Sequence, residues 1–240
     1  MSMLRVENIN TFYGYSHILH DLSLEVNKGE IVVLLGRNGV GKTTTLKSIM
    51  GIQAPKTGRI VFQGEDITGF APHQVARKGI ALIPEDRRVI PNLSVLENLK
   101  LGMLIRGKSI DKKKTLDEVF AYFPVLEKRL GQRGETLSGG EQQMLTIARG
   151  MVSGPSLMMI DEPTEGLMPI LIPEIAGIIK KFQEDGVTIL LVEQNYQMSL
   201  SLSENERAYI IEKGQNRLCG TPGELHTCQL EVEKYLGVKI

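Results

Sequence analysis

Residues 31–50, IVVLLGRNGVGKTTTLKSIM, constrain this chain more than any other stretch. Five apolar residues lead into three glycines, a lysine and three threonines, after which Leu46, Ile49 and Met50 recur at helical spacing. The pattern predicts strand, loop and helix in that order. Gly36-Arg37-Asn38-Gly39-Val40-Gly41-Lys42-Thr43 fits G-x-x-x-x-G-K-[ST] at every fixed position, and these residues with Thr44 are the expected nucleotide-binding loop. Glycines there let successive backbone N–H groups converge on one point, which the positive end of the helix dipole also faces. Lys42 is expected to reach the β- and γ-phosphates of a nucleotide, and the Thr43 hydroxyl to hold Mg²⁺. A glycine-rich turn capped by threonine is the plain structural alternative. The strand-to-helix context favours the phosphate loop.

A chain of 240 residues can bury a substantial core in one domain carrying a smaller insertion. Lysine plus arginine number 28 and aspartate plus glutamate 28, so no global field draws the protein to nucleic acid or an anionic lipid surface. No apolar run approaches the roughly 20 residues of a membrane span, and the first residues lack a signal-peptide core. The expectation is a cytoplasmic protein whose membrane role, if any, comes through another subunit. Cys219 and Cys228, the only cysteines, read as reduced thiols rather than a disulfide. None of His17, His20, His73 and His226 falls in a metal-ligand pattern.

Residues 4–11 and 22–26 alternate apolar and polar side chains, as half-exposed antiparallel strands do. Between them Tyr13 beside Gly14 is the candidate to stack on a purine, the alternative being a ring packed on the sheet edge. Residues 79–85 form an apolar run that stops at Pro84 and delivers Glu85, either an oxygen group near a metal or its water, or a solvated loop glutamate. Residues 92–137 change character. Ser94 and Glu97 make a capping-box pattern, residues 111–122 read as a second helix with Lys112, Lys113 and Lys114 on its solvated face, and Pro124 breaks it. This helical stretch between two strand runs predicts a separately packed insertion.

Ser138-Gly139-Gly140-Glu141 opens the next helix, and Ser138 with Glu141 would make a capping box. Two glycines in a first turn each cost about 0.5–1 kcal/mol against alanine, which capping does not explain. Bare backbone at a helix N-terminus suits a phosphate. Lys42 has already taken the phosphates of this chain, however, so the second helix end has no ligand of its own. Residues 157–163, LMMIDEP, read as a buried strand ending in adjacent carboxylates. Asp161 is expected to hold Mg²⁺, usually through water, and Glu162 to polarise an attacking water; a pair of plain strand-end acids is the alternative. Residues 187–192 form another buried strand, with Glu193, Gln194 and Asn195 as a polar tip of the kind that lines ligand sites. Two further strands follow, joined by a Lys213-Gly214 turn, and then a short helix starting near Pro222.

With GRNGVGKT, LSGGEQQ and LMMIDEP in this order, the chain resembles the ATP-binding subunits of ABC transporters over essentially its whole length. The resemblance implies an α/β fold: one ABC-type P-loop domain over 1–240, with a mixed, mainly parallel core sheet and an N-terminal antiparallel β subdomain (1–91 and 155–240), and a helical subdomain over about 92–154. It implies an ATPase using ATP and Mg²⁺ at the cytoplasmic face of the membrane, paired head to tail with a second ABC ATPase subunit, either a related partner or itself. Ser138, Gly139, Gly140 and Glu141 of one subunit would then meet the γ-phosphate held by Lys42 of the other. Tyr13 matches the family's adenine-stacking aromatic, Glu162 its catalytic glutamate, and residues 164–167 the loop that crosses to the partner.

Two positions depart from the general pattern. Glu85 stands where most members carry glutamine, and Gln194 where most carry a γ-phosphate-sensing histidine. Glutamine donates an amide hydrogen but cannot become cationic. The strings IPEDRRVIPNLSVLENL and LLVEQN are similar to those of the ATP-binding subunits of high-affinity branched-chain amino-acid importers, which implies integral-membrane permease subunits as partners and, indirectly, a solute-binding protein. Residues 76–78 and 87–91 would lie near the groove for a membrane-subunit helix. Glu165 and Met168 differ from that subfamily's usual loop. Urea or amide import, lipopolysaccharide export, and a soluble ABC ATPase acting on nucleic acid or ribosomes are the rival readings.

Overall fold

Five consecutive apolar residues leave a strand with no polar face, so it must be covered on both sides. The computed structural model, which describes residues 2–86, 89–107, 110–202 and 206–237, places residues 31–35 in that position. In chain order the elements are β1 (Ser2–Tyr13), β2 (Ser16–Asn27), β3 (Ile31–Leu35), α1 (Lys42–Ile49), β4 (Thr57–Phe62), β5 (Glu65–Asp66), α2 (Pro72–Arg77), β6 (Ile80–Ile83), α3 (Val95–Met103), α4 (Lys112–Tyr122), α5 (Pro124–Glu127) and α6 (Gly139–Met151). They continue as β7 (Leu157–Asp161), α7 (Ile172–Glu184), β8 (Thr188–Glu193), α8 (Tyr196–Leu202), β9 (Arg207–Glu212), β10 (Gln215–Gly220), α9 (Pro222–Thr227) and α10 (Gln229–Leu236). Arg87 and Arg88, from the expected docking segment, and the side chains of Pro222 and His226 fall outside the described residues.

Six strands form the core sheet in the order β10-β9-β3-β8-β7-β6. All neighbours are parallel except β9 and β10, which are antiparallel. Its central strands send alternate residues to opposite faces, as the two-residue period requires. Ile31, Val33, Met158, Ile160, Ile189 and Leu191 join one apolar cluster, and Val32, Leu34, Leu157, Met159, Leu190 and Val192 the other. The second cluster is closed by α1 and by an antiparallel sheet of order β2-β1-β4-β5. The expected buried strand over residues 79–85 is the sheet's edge strand β6, and its Ala81 and Leu82 are only half-buried.

Helices α3 to α6 occupy the connection between β6 and β7. Ser94 caps α3 with the reciprocal Glu97 contact, Asp111 caps α4, and Pro124 sits at the first turn of α5. The side chains of Lys112, Lys113 and Lys114 are exposed. Apolar side chains of this insertion also pack onto the core sheet. Val95, Leu99, Val119, Phe123 and Leu145 belong to the same cluster as Ile31 and Ile160, because Phe123 also stacks edge-on against Phe182 of α7, with ring centroids 6.2 Å apart. Cys219 and Cys228 are exposed and unbridged. Among the described residues no helix is long and apolar enough to cross a membrane.

Candidate functional site

Strands β3, β7 and β8 run parallel and side by side, so their carboxyl ends open at one edge, where ligands gather in sheets of this kind. The first of these ends carries residues 36–41. Gly39 and Gly41 take positive φ angles of 80° and 116°, and Gly41 is the N-cap of α1 with no side chain closing it. The first N–H groups of α1 are therefore left for a ligand, at the positive end of the helix. Gly36 is needed for a second reason, since a Cβ there would lie 2.7 Å from the Ile211 carbonyl oxygen.

Lys42 is almost fully buried, and its ammonium donates to the carbonyls of Gly36 (2.8 Å) and Arg37 (3.1 Å). It also pairs with Glu162 Oε1 at 2.9 Å. Glu162 follows directly on β7 and adopts a φ of 43°, a conformation that costs a β-carbon-bearing residue about 1–3 kcal/mol and marks sites where surrounding structure enforces it. Its N–H donates to the Val192 carbonyl at 2.9 Å. Burial works against charge on Glu162, but hydrogen bonds from Glu165 and Lys42, with the Lys42 charge, outweigh it and hold the carboxyl below the usual glutamate range. The complementary effect appears at Glu165, which its bond to Glu162, then burial, pushes up to about 7.

Asp161 closes β7 and is 2% exposed. Burial pushes it up to about 6, against the pull of a hydrogen bond from Thr43; the charges of Glu162 and Glu85 add to the rise. Its Oδ1 has no hydrogen-bond partner among the described residues. A buried carboxylate oxygen without a donor, beside a threonine hydroxyl, is a donor set that suits a hard divalent cation. Mg²⁺ therefore fits Thr43 and Asp161. Glu85 is exposed yet contributes: one oxygen each of Glu85, Glu162 and Glu165 lie within 4.8 Å of one another. Together the loop and the strand ends present cationic and N–H groups for phosphates, carboxylates for a cation, and a further carboxylate, Glu162, that is held by Lys42 and Glu165.

Tyr13 stands 41% exposed at the end of β1 and lines the same cavity as Thr43, Lys47 and Asp161. Arg37, Asn38 and Gly39 are exposed, Val40 half-buried and Thr44 buried. Gln194 is exposed at the tip of β8 with its N–H donating to Glu193. Ser138 caps α6 in the expected box with Glu141, whose carboxylate also pairs with Arg129 at 2.7 Å. Among the described residues no hydrogen bond or ion pair of Ser138, Gly139, Gly140 or Glu141 reaches residues 36–43. Gly140 has a packing role absent from the sequence reading: a Cβ there would meet Leu171 Cδ1 at 2.5 Å.

Three supports of the site escape sequence reasoning. Gly214, in the turn between β9 and β10, donates its N–H to the Val40 carbonyl at 2.8 Å, and a Cβ on it would meet the Ile18 carbonyl at 1.8 Å. Gly237, the C-cap of α10, lies against the Arg37 guanidinium. Glu193 is buried and bonds the Thr164 hydroxyl at 2.8 Å. A Lys-Gly turn and a Glu-Gln-Asn tip are visible in the sequence, but their contacts are made across long chain separations.

The sequence model of the ABC transporter family matches residues 19–165, more than half of the chain. BraG of Pseudomonas aeruginosa, a high-affinity branched-chain amino acid transport ATP-binding protein, is 43% identical over 235 residues, 98% of this chain and 100% of its own. LivF of Archaeoglobus fulgidus, named a probable branched-chain amino acid transport ATP-binding protein, is 39% identical, covering 97% of this chain and 96% of its own. LptB of Haemophilus influenzae, a lipopolysaccharide export system ATP-binding protein, is 35% identical over 99% of this chain and 98% of its own. The solved structure of a nucleotide-free ATP-binding cassette from an ABC transporter matches with a TM-score of 0.85 at 26% identity, covering 100% of both chains. By its site, its fold and its relatives, the chain belongs to the ABC transporter family and is one of that family's ATP-binding cassettes.

Proposed function

We propose that this cassette hydrolyses ATP, with Mg²⁺, to drive uptake of branched-chain amino acids through membrane permease subunits, working at the cytoplasmic face of the membrane as one half of a head-to-tail pair. The observation that carries the reading is the convergence of Lys42, Thr43, Asp161 and Glu162 at adjoining strand ends. Incoming phosphates settle on the N–H groups at the start of α1 and take Lys42 from Glu162. Glu162 then accepts a hydrogen bond from the water that attacks the γ-phosphorus, while its backbone stays tied to Val192 and its carboxyl to Glu165. Thr43 and Asp161, with Glu85 nearby, would hold Mg²⁺, whose charge would be available to offset that of the phosphate oxygens. Lys42 stays on the transferring group and offsets its developing charge.

The N-terminus of α6 supports pairing: among the described residues it makes no hydrogen bond or ion pair to its own phosphate loop, and the apolar Met168 and Ile170 beside Leu171 are 65% and 80% exposed. A second cassette, this chain or a sister, supplies what that helix end faces. Gln194 donates its amide to the γ-phosphate.

A groove of about 970 Å³ runs from Tyr13 and Thr43 to the helical insertion. Ile52, Ile90, Leu101 and Ile105 line it, each between 39% and 52% exposed, with Ala76 from the expected docking segment. Arg149 also lines it, and burial holds its pKa below the usual range. An amphipathic helix of a permease subunit with a carboxylate for Arg149 fits this groove. Branched-chain amino acids as cargo rest on the names of BraG and LivF. The relation to LptB makes lipopolysaccharide export the second reading, at lower identity. The permease subunits that purify with the chain, and the solute-binding protein they serve, decide between them.

Glu162→Gln tests the chemistry. It should bind ATP and accumulate as an ATP-held pair, yet turn over at least about 100-fold more slowly, as loss of a base acting on water predicts. Near-normal turnover would remove Glu162 from the role.

A further inference from the structure

Strands β7 and β8 are adjacent, with Asp161 opposite Val192, and their tips diverge into the two loops that carry Glu162 and Gln194. Glu193, the last residue of β8, lies between them and is 2% exposed. One of its oxygens, Oε1, accepts from the Thr164 hydroxyl at 2.8 Å. The other, Oε2, accepts from the N–H groups of Gln194 at 3.1 Å and Asn195 at 3.2 Å. On its far side the backbone of Glu193 is in register with Leu35, the last residue before the phosphate loop.

Burying a carboxylate is expensive, and an apolar side chain of similar volume usually serves packing better. Burial does push Glu193 above the usual range, with the Glu162 charge adding to the rise, and the hydrogen bonds from Thr164 and Asn195 only oppose this. What the carboxylate achieves that a leucine would not is a pair of directed contacts, one to each loop. We propose that Glu193 is a positioning residue for ATP hydrolysis: it clamps the loop bearing Glu162 and Glu165 to the loop bearing Gln194, so that the water-orienting and γ-phosphate-facing groups move as one unit. The inference rests on the roles given above to Glu162 and Gln194. Glu193 itself touches neither phosphate nor water.

The test compares Glu193→Gln, Thr164→Val and Thr164→Ser in the full chain, measuring kcat and KM for ATP, affinity for a non-hydrolysable ATP analogue, and Tm. A clamp predicts that Glu193→Gln and Thr164→Val each lower kcat about 10- to 100-fold, the scale of a small misplacement at a reacting centre, while KM and analogue affinity move less than about threefold. The double variant should be no worse than the poorer single one, because each breaks an arm of the same bridge: valine takes away the Thr164 donor, and glutamine puts an NH₂ where one carboxylate oxygen accepted. Thr164→Ser keeps the hydroxyl and should restore kcat to within about threefold of the parent. The opposite order, with Thr164→Val active and Thr164→Ser impaired, would show that Thr164 is there for packing and overturn the clamp. So would losses of kcat, analogue affinity and Tm that run in step. Should Glu193→Gln fail to fold, the two Thr164 variants still decide. Glu162→Gln assayed alongside separates the two levels of failure: normal turnover there removes the Glu162 reading, whereas a dead Glu162→Gln with fully active Thr164→Val removes only the clamp.

Discussion

Tyr13 offers the simplest separation of binding from folding, because its ring stands at the rim of the cavity and little packs on it. Base stacking on an aromatic side chain is worth about 1–3 kcal/mol, so Tyr13→Ala should weaken ATP binding about 10- to 100-fold with Tm almost unchanged. Titration with inorganic tripolyphosphate is the control, and it should bind the parent and the variant equally. Equal ATP affinity in the two proteins would place Tyr13 outside the nucleotide site. The positions of Lys42 and Thr43 at the start of α1 were legible because each is defined by a short spacing within one loop. Glu162 was legible as chemistry but not as geometry, since nothing in LMMIDEP announces its positive φ or its ion pair with Lys42. Glu165 entered the sequence reading only as a departure from a subfamily's loop. Its significance lies in meeting Glu162 and Glu85, and that depends on where β6 ends relative to β7.

At the scale of elements, α6 carries two readings that one substitution separates. Ser138 closes a capping box with Glu141, and Asp caps a helix about as well as Ser, whereas Ala would cost about 0.5–2 kcal/mol. Ser138→Asp should therefore leave the urea midpoint of the cassette nearly unchanged. If the same helix end receives a partner's γ-phosphate, the added negative charge should abolish ATP-driven pairing of the Glu162→Gln background, read by light scattering. Pairing that survives the substitution would leave α6 with capping alone. The box was readable because both partners lie within one turn. The demand for glycine at 140 was only half readable, because the side chain that excludes a Cβ comes from Leu171, beyond β7. The turn between β9 and β10 makes a parallel case. Gly214→Ala forces a Cβ against the Ile18 carbonyl at a φ of 73°, a strain of at least about 1–3 kcal/mol. Because Gly214 also holds Val40, the variant should lose phosphate affinity beyond its loss of stability, measured by tripolyphosphate titration well below its Tm.

For the whole molecule, the fold class was implied by the resemblance that GRNGVGKT, LSGGEQQ and LMMIDEP carry, and the structure adds how the parts are joined. The helical insertion shares its apolar cluster with the core sheet, so a helix seated in the groove between them touches both a surface next to the nucleotide cavity and the insertion that carries α6. On the docking proposed above, this shared cluster would be the physical route by which a membrane partner and the nucleotide sense each other. It also fixes what kind of attraction holds them. The chain balances 28 basic against 28 acidic residues, leaving no net field to steer a partner, while the groove is lined by exposed Ile52, Ile90, Leu101 and Ile105. Association with permease subunits should then persist at about 1 M salt, where the Debye length is only about 3 Å, because apolar burial is not screened. A charge placed in the groove, Leu101→Asp, should weaken it strongly, since the substitution removes apolar contact and buries a carboxylate whose desolvation a pairing with Arg149 only partly offsets. Co-purification of the detergent-extracted complex across a salt series reads both effects. Release of the parent cassette at high salt, with Leu101→Asp still bound, would show that the permease is held by surface charge elsewhere and not by this groove.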